Sequence, residues 1–213
     1  MEKRLHYCQV TLPNTLGNCV QVAFGDEKWF TGCTPKTVRI MDDQSNSPSR
    51  FISKDAHMPQ VMFFCVIAQT GENLAVHLTG KTTSISIIKV LENKVFPWCT
   101  KQTPPIVKLV LDNAPVHKSK LVQAYLFEQK SGVEVVFLPP KSPDLNPIES
   151  VFANVSQTLS QMGDVKFDHC KLKLLMPVYF HEAATKYSAK LYTKMFSNAA
   201  QIIKHNGGNH FVE

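Results

Sequence analysis

The chain has 213 residues, 44% of them hydrophobic and 19% charged, enough for one domain with a real core and short for two. Its longest apolar run, Val61 to Ala68, falls far below the ~18 residues of a membrane span, and "MEKRLHYCQV" lacks the hydrophobic segment of a secretory signal, so a soluble, intracellular protein is expected. A net charge of +6, with only three arginines (Arg4, Arg39, Arg50) among 23 basic residues, favours phosphate-bearing partners such as the backbone of DNA.

In chain order, "CVQVAFGD" (Cys19 to Asp26) alternates in period two and reads as a strand ending on an aspartate. "KWFTG" and the strand-like "KTVRIM" follow, with the polar loop "DDQSNSPSR" behind them. Gln60 to Ala68 is apolar on both faces, the pattern of a central strand. Thr83 to Phe96 suits a helix. "PPIVKLVLD" is a strand that stops on Asp112, with turn-forming residues directly behind. In "KSKLVQAYLFEQKSG" the pairs Leu121/Tyr125 and Val122/Leu126 recur at i, i+4, and Gly132 supplies a stop. "VEVVFLPP" is a strand ended by two prolines. Asn146 and Pro147 then open a helix as cap and first residue, with a core stripe of Ile148, Val151, Phe152, Val155 and Leu159. A long amphipathic helix around Tyr187 to Lys204 closes at "NGG". Three strands, then strand, helix, strand, helix, make a mixed α/β sheet flanked by helices.

The six cysteines form no CxxC pair, which argues for reduced thiols and against both disulfides and a structural zinc, although His169 adjoins Cys170.

Three acids stand out. Asp26 and Asp112 each close a strand run, and Glu149 lies in the first turn of the helix after the last one. If the first and fourth strands are neighbours, the three converge on one sheet edge, where α/β folds place their chemistry. Packed together without a cation they would repel one another and raise at least one pKa. Carboxylates are hard oxygen ligands for Mg²⁺ or Mn²⁺, and two such ions ~4 Å apart suit phosphoryl transfer. Plainer roles compete. Asp26 and Asp112 could cap turns, Glu149 three residues after Asn146 has capping-box spacing, His117 could be a turn histidine, and Lys118 and Lys120 could be solvated.

"GDEKWF", "LDNAPVH" and "SPDLNPIE" stand in that order, and together with "SRFISKDAHMPQVMFFCVIAQTG" they resemble the catalytic domain of mariner-like DNA transposases over about residues 3 to 160. That resemblance implies an RNase H-like mixed sheet, with three antiparallel strands followed by parallel ones. It implies Asp26, Asp112 and Glu149 as catalytic residues and ligands of two Mg²⁺ or Mn²⁺ ions. Asn113, His117 and Asn146 take supporting roles, Trp29 and Phe30 pack behind the first acid, and Lys118, Lys120 and Lys141 are candidates for DNA contact. The implied partner is double-stranded DNA, as transposon ends and target, in cut-and-paste transposition. No membrane is involved, a homodimer is left open, and the nucleus is the compartment if the host is eukaryotic.

Residues 1–15 then resemble the tail of a linker helix, 16–165 the catalytic domain and 166–213 a helical extension of it. Such transposases normally carry paired helix-turn-helix units ahead of the first catalytic strand. On that ground the chain is expected to be a truncated element, an isolated domain or a host-retained remnant. The alternative function is a transposase-derived DNA-binding protein without catalysis; weaker ones are a nuclease on RNA–DNA hybrids and a decaying reading frame.

Overall fold

Two strands decide the architecture, because their side chains are apolar on both faces and need cover on both. The computed structural model describes residues 1–16, 21–32, 59–162 and 167–208. Strands β1 (Gln21–Thr31), β2 (Gln60–Ala68), β3 (Asn73–Leu78), β4 (Ile106–Leu111) and β5 (Glu134–Phe137) form one sheet in the order β3-β2-β1-β4-β5. β1–β2 and β2–β3 are antiparallel, and β1–β4 and β4–β5 are parallel. This mixed five-stranded sheet flanked by helices is an RNase H-like fold.

Period-two alternation sends the strands' side chains to two separate cores. Val22, Phe24 and Phe30 of β1 join Phe63, Cys65 and Ile67 of β2 under α6 (Pro147–Gln161) and α7 (His169–Lys204). On the other face Ala23, Phe64, Val66, Leu109 and Leu111 pack under α3 (Ser84–Val90), a π-helical turn (Leu91–Val95), α4 (Phe96–Lys101) and α5 (Lys120–Glu128). The amino-terminal run α1 (Glu2–His6), a π-helical turn (Tyr7–Thr11) and α2 (Leu12–Leu16) sends Tyr7, Cys8 and Leu12 into the α6–α7 core. Tyr192 of α7 is fully buried, with its hydroxyl 3.1 Å from the carbonyls of both Val22 and Ile67. That bond ties helix to sheet and contributes about 1 kcal/mol.

Helix starts follow capping chemistry. Thr83 and Ser86 form a capping box at α3, and the Ser119 hydroxyl accepts from Val122 N–H at α5. The predicted helix over Thr83 to Phe96 runs on to Lys101 through the π-helical turn. α7 is twice the length expected, beginning at His169. Pro177 lies inside it, but the buried stripe Leu172, Met176, Phe180, Ala184 and Ser188 holds helical geometry across the missing N–H.

Other expectations need correction. β1 does not end on Asp26; it continues to Thr31, because Glu27 to Thr31 keep pairing with Phe64 to Gln60. Among the described residues the third antiparallel strand is Asn73–Leu78, which the sequence reading missed. The predicted strand "KTVRIM" and the loop "DDQSNSPSR" lie outside the described residues, as does the expected division at residue 165. Trp29 does not pack behind the first acid but is 52% exposed, because strand alternation turns it to the opposite face from Phe30, which is buried. Cys8, Cys65, Cys99 and Cys170 are free thiols. Among the described residues no helix is long and apolar enough to cross a membrane.

Candidate active site

Strand register brings two of the acids together. Gly25 pairs with Leu111 across the parallel β1–β4 ladder, so the next residues, Asp26 and Asp112, stand side by side. The ladder is tight here, since a Cβ at position 25 would lie 3.0 Å from Leu111 Cδ2 and 3.3 Å from Phe64 Cζ. Leu138 follows β5 at the same level, its N–H bonded to the Leu111 carbonyl at 2.9 Å. The chain then passes through Pro139 and Pro140 into a 3₁₀ turn (Pro143–Leu145) and α6. Glu149 lies in the first turn of α6 and lines the same open cleft of about 360 Å³ as Asp26, Asp112, Asn113, Lys141 and Asn146.

Asp26 is 7% exposed. Its Oδ1 accepts from Glu27 N–H at 2.8 Å and its Oδ2 from Asn146 Nδ2 at 2.9 Å. Both donors are neutral. Burial, then the nearby Asp112 and Glu149 charges, push its pKa up to about 7. Asn146 is the N-cap of α6 by position, but its side chain makes no cap bond; it is spent on Asp26, 120 residues away. The capping-box role considered for Glu149 is therefore absent. Glu149 instead lies 3.8 Å from Lys28 Nζ, each side chain 40% exposed.

Asp112 has a counter-ion. His117 is fully buried, with Nδ1 2.7 Å from Asp112 Oδ1 and Nε2 3.0 Å from Glu27 Oε1. Burial alone would lower the His117 pKa, but the two carboxylates outweigh it and push it to about 10, so both ring nitrogens donate. Burial would likewise raise Asp112. The His117 bond and the Ala114 N–H, 3.0 Å from Oδ1, hold it below the usual carboxylate range.

The donor set suits a hard cation. The side-chain oxygens of Asn113 and Asn146 are buried without hydrogen-bond partners, and both residues line the cleft with the three acids. Orphaned oxygens beside carboxylates are what an oxygen-preferring cation, or water bound to it, would satisfy. Among the described residues no three or more His, Cys, Asp or Glu side chains are gathered closely enough to hold a metal ion. Of the candidate lysines, Lys141 reaches the cleft wall. Lys118 places its ammonium 5.0 Å from the Phe137 ring, and Lys120 is exposed at the start of α5.

Residues 21–168 match the family model for DDE superfamily endonucleases. The chain belongs to that family. The Tc3 transposase of Caenorhabditis elegans is 26% identical over 152 residues, 70% of this chain and 44% of that protein. The Tcb2 transposase of Caenorhabditis briggsae is 32% identical over 68 residues, 32% of this chain and 24% of that protein. The chain spans less than half the length of either curated relative. A mariner Mos1 paired-end complex with Mg matches with a TM-score of 0.76 at 19% identity, over 97% of this chain and 62% of that one.

Asp26, Asp112 and Glu149 all lie inside the matched span, as do Glu27, Lys28 and His117. The sequence reading missed Glu27 and Lys28. One signal was available for both, since alternation after Asp26 sends Lys28 to the same face and Glu27 to the other. It also missed Arg4, which lies before the matched span and bears on the site from α1.

Proposed function

We propose that the chain is the catalytic part of a DNA transposase, hydrolysing phosphodiester bonds at transposon ends and joining the freed 3′ hydroxyl to target DNA. One observation carries the reading: Asp26 and Asp112 stand side by side on parallel neighbouring strands, with Glu149 on the wall of the same cleft. The Tc3 and Tcb2 transposases and the Mos1 complex with Mg support it by similarity.

Asp26, Asp112 and Glu149 would hold divalent cations, with the Asn113 and Asn146 side-chain oxygens alongside. Mg²⁺ or Mn²⁺ bound there would supply Lewis acidity and a lowered pKa for a nucleophilic water. The chain's own residues do the rest. His117 fixes the Asp112 carboxylate in one orientation and leaves its second oxygen free of a hydrogen bond from the ring. Asn146 and the Glu27 N–H fix Asp26 with one donor on each of its oxygens. Among the described residues the Glu149 carboxylate has a long, part-exposed contact with Lys28, from which it would turn toward the cleft. Lys141 on the wall supplies positive charge for a DNA phosphate, a contact worth little sequence specificity.

Duplex DNA, as transposon end and as target, is the proposed partner, and a homodimer is the proposed assembly. With nematode relatives, the proposed compartment is the nucleus. Residues 1–15 are read as the tail of a linker helix and 166–213 as a helical extension of the catalytic unit.

The test is Mn²⁺ binding and Mn²⁺-dependent nicking of transposon-end DNA, comparing the native chain with Asp112→Asn. Binding and nicking that both disappear in the variant are expected. Native chain that binds DNA in a salt-dependent way, yet neither takes up Mn²⁺ nor cuts, would overturn catalysis and leave a DNA-binding protein.

A further inference from the structure

We infer that Arg4, on the amino-terminal helix, is a positioning residue that sets the third acid of the site through the turn before α6. This rests on the metal-site reading above and adds to it a residue outside the three motifs. Arg4 is 7% exposed, and its guanidinium reaches about 140 positions along the chain. Nη2 donates to Asp144 Oδ2 at 2.7 Å, and Nη1 donates to Asp144 Oδ1 at 2.9 Å, Ser142 Oγ at 2.9 Å and the Lys141 carbonyl at 3.2 Å. One planar fork thus grips three residues, Lys141, Ser142 and Asp144, of the turn's entry and start. A lysine has one ammonium and cannot reproduce a bidentate carboxylate contact with two further acceptors.

What the fork grips is the connection to both remaining parts of the site. Lys141 adopts a left-handed φ of 56°, a conformation a side chain resists unless its surroundings hold it. From the other side Asn198 of α7 donates to the Asp144 carbonyl at 2.8 Å. The 3₁₀ turn then closes through Leu145 N–H on the Ser142 carbonyl and Asn146 N–H on the Pro143 carbonyl. Asn146 delivers its amide to Asp26, and its carbonyl accepts from Glu149 N–H at 3.2 Å. A shift of this turn therefore moves Glu149 and the Asn146–Asp26 bond together.

The helix carrying Arg4 is itself anchored. Tyr7 and Cys8 are buried in the α6–α7 core, and Gly207, just past α7, leaves room for the Met1 backbone where a Cβ would sit 2.5 Å from the Met1 carbonyl oxygen. Arg4 thus reaches the turn from a fixed base.

The experiment measures Mn²⁺ affinity by calorimetry in four proteins: native, Arg4→Lys, Glu149→Gln and the double variant, each first checked for cooperative melting. Partners that orient ligands typically change metal affinity by ~10–100-fold, so Arg4→Lys is expected to weaken Mn²⁺ by at least about tenfold while still melting cooperatively. In the Glu149→Gln background the same change is expected to cost clearly less, because the route through Glu149 is gone and only the one through the Asn146–Asp26 bond remains. Ser142→Ala, which removes one of the four contacts, is expected to weaken Mn²⁺ by a few-fold and serves where Arg4→Lys does not fold. Unchanged affinity in a folded Arg4→Lys would reduce Arg4 to a fold-stabilising residue, and equal losses in both backgrounds would show that it does not act through Glu149; either result overturns the inference. Native chain that takes up no Mn²⁺ overturns the metal-site reading, and this inference with it.

Discussion

Asp26 and Asp112 are neighbours on adjacent parallel strands, yet their surroundings pull them in opposite directions. Asp26 sits within β1, nearly sealed from water, with neutral donors on both oxygens and three acids, Asp112, Glu149 and Glu27, close by. Burial first, and those charges second, push it up to about 7. Asp112 stands one residue past the end of β4 with its side chain 38% exposed, and the His117 ring sits against it. There burial is outweighed, and the carboxyl stays low. The same residue type thus serves two electrostatic roles, because one acid comes with a counter-ion and the other, among the described residues, lacks one.

The largest effect should come from Asp26→Asn, which removes the acid without a counter-ion. DNA cleavage is expected to fall by about a thousandfold or more. Stability should move the other way. A carboxyl held near 7 instead of 3.8 carries up to about 4 kcal/mol of penalty when ionised. A group with a raised folded pKa stabilises the fold only while protonated, so the wild type loses that contribution between about pH 4 and 7. Asp26→Asn should therefore melt higher at pH 8 and show little advantage at pH 4. Melting curves that move in parallel at both pH values would remove the contrast between the two aspartates.

His117→Gln attacks the other half of the comparison. Breaking a buried charged bridge costs roughly 3–5 kcal/mol, and the partial exposure of Asp112 favours the lower figure. The wild-type contribution is fully present below the unfolded histidine value of about 6.5 and is lost as pH rises through about 10. Denaturant unfolding should show a larger cost at pH 6 than at pH 10. On the acid side, protonation of Asp112 should remove its share as pH falls below about 4, the usual unfolded aspartate value.

A smaller effect should appear in metal binding. Below pH 7 a proton and Mn²⁺ compete for Asp26, so apparent affinity should approach a tenfold fall per pH unit and level off above it. Calorimetric titrations from pH 5.5 to 8.5 would check this, and a flat profile would show that Asp26 is not the group being displaced. The smallest effect belongs to Lys28→Gln. Its 3.8 Å contact with Glu149 is part-exposed at both ends, so chemical denaturation should change by no more than about 0.5 kcal/mol.

Legibility in the sequence followed the range of the interactions. Asp112 could be found because an aliphatic strand stops on it with turn residues behind, all within a dozen positions. The central strand Gln60–Ala68 and the α6 stripe from Ile148 to Leu159 were visible because burial writes its period directly into neighbouring residues. Strand Asn73–Leu78 was missed because only Leu78 of its residues is buried, which leaves an edge strand with little alternation. α7 was cut short because Pro177 argues locally for a break, and only packing on both sides overrides it.

The sequence by itself determined the two-faced strands, the helices with their apolar stripes, the three acids as candidates and a basic chain suited to phosphate. These are local periodicities, or acids at strand-end and helix-start positions whose plainer capping roles the sequence left open. Tertiary structure alone decided that Asn146 serves Asp26 instead of capping its helix, and that His117 bridges Asp112 and Glu27. It alone decided that Arg4 holds the turn before Glu149. Apart from the His117–Asp112 contact, which spans five positions, each of those bonds joins residues 90 to 140 positions apart. No local pattern encodes such a pairing, because it exists only once the sheet order has placed β1 beside β4 and brought the chain's two ends over the same face.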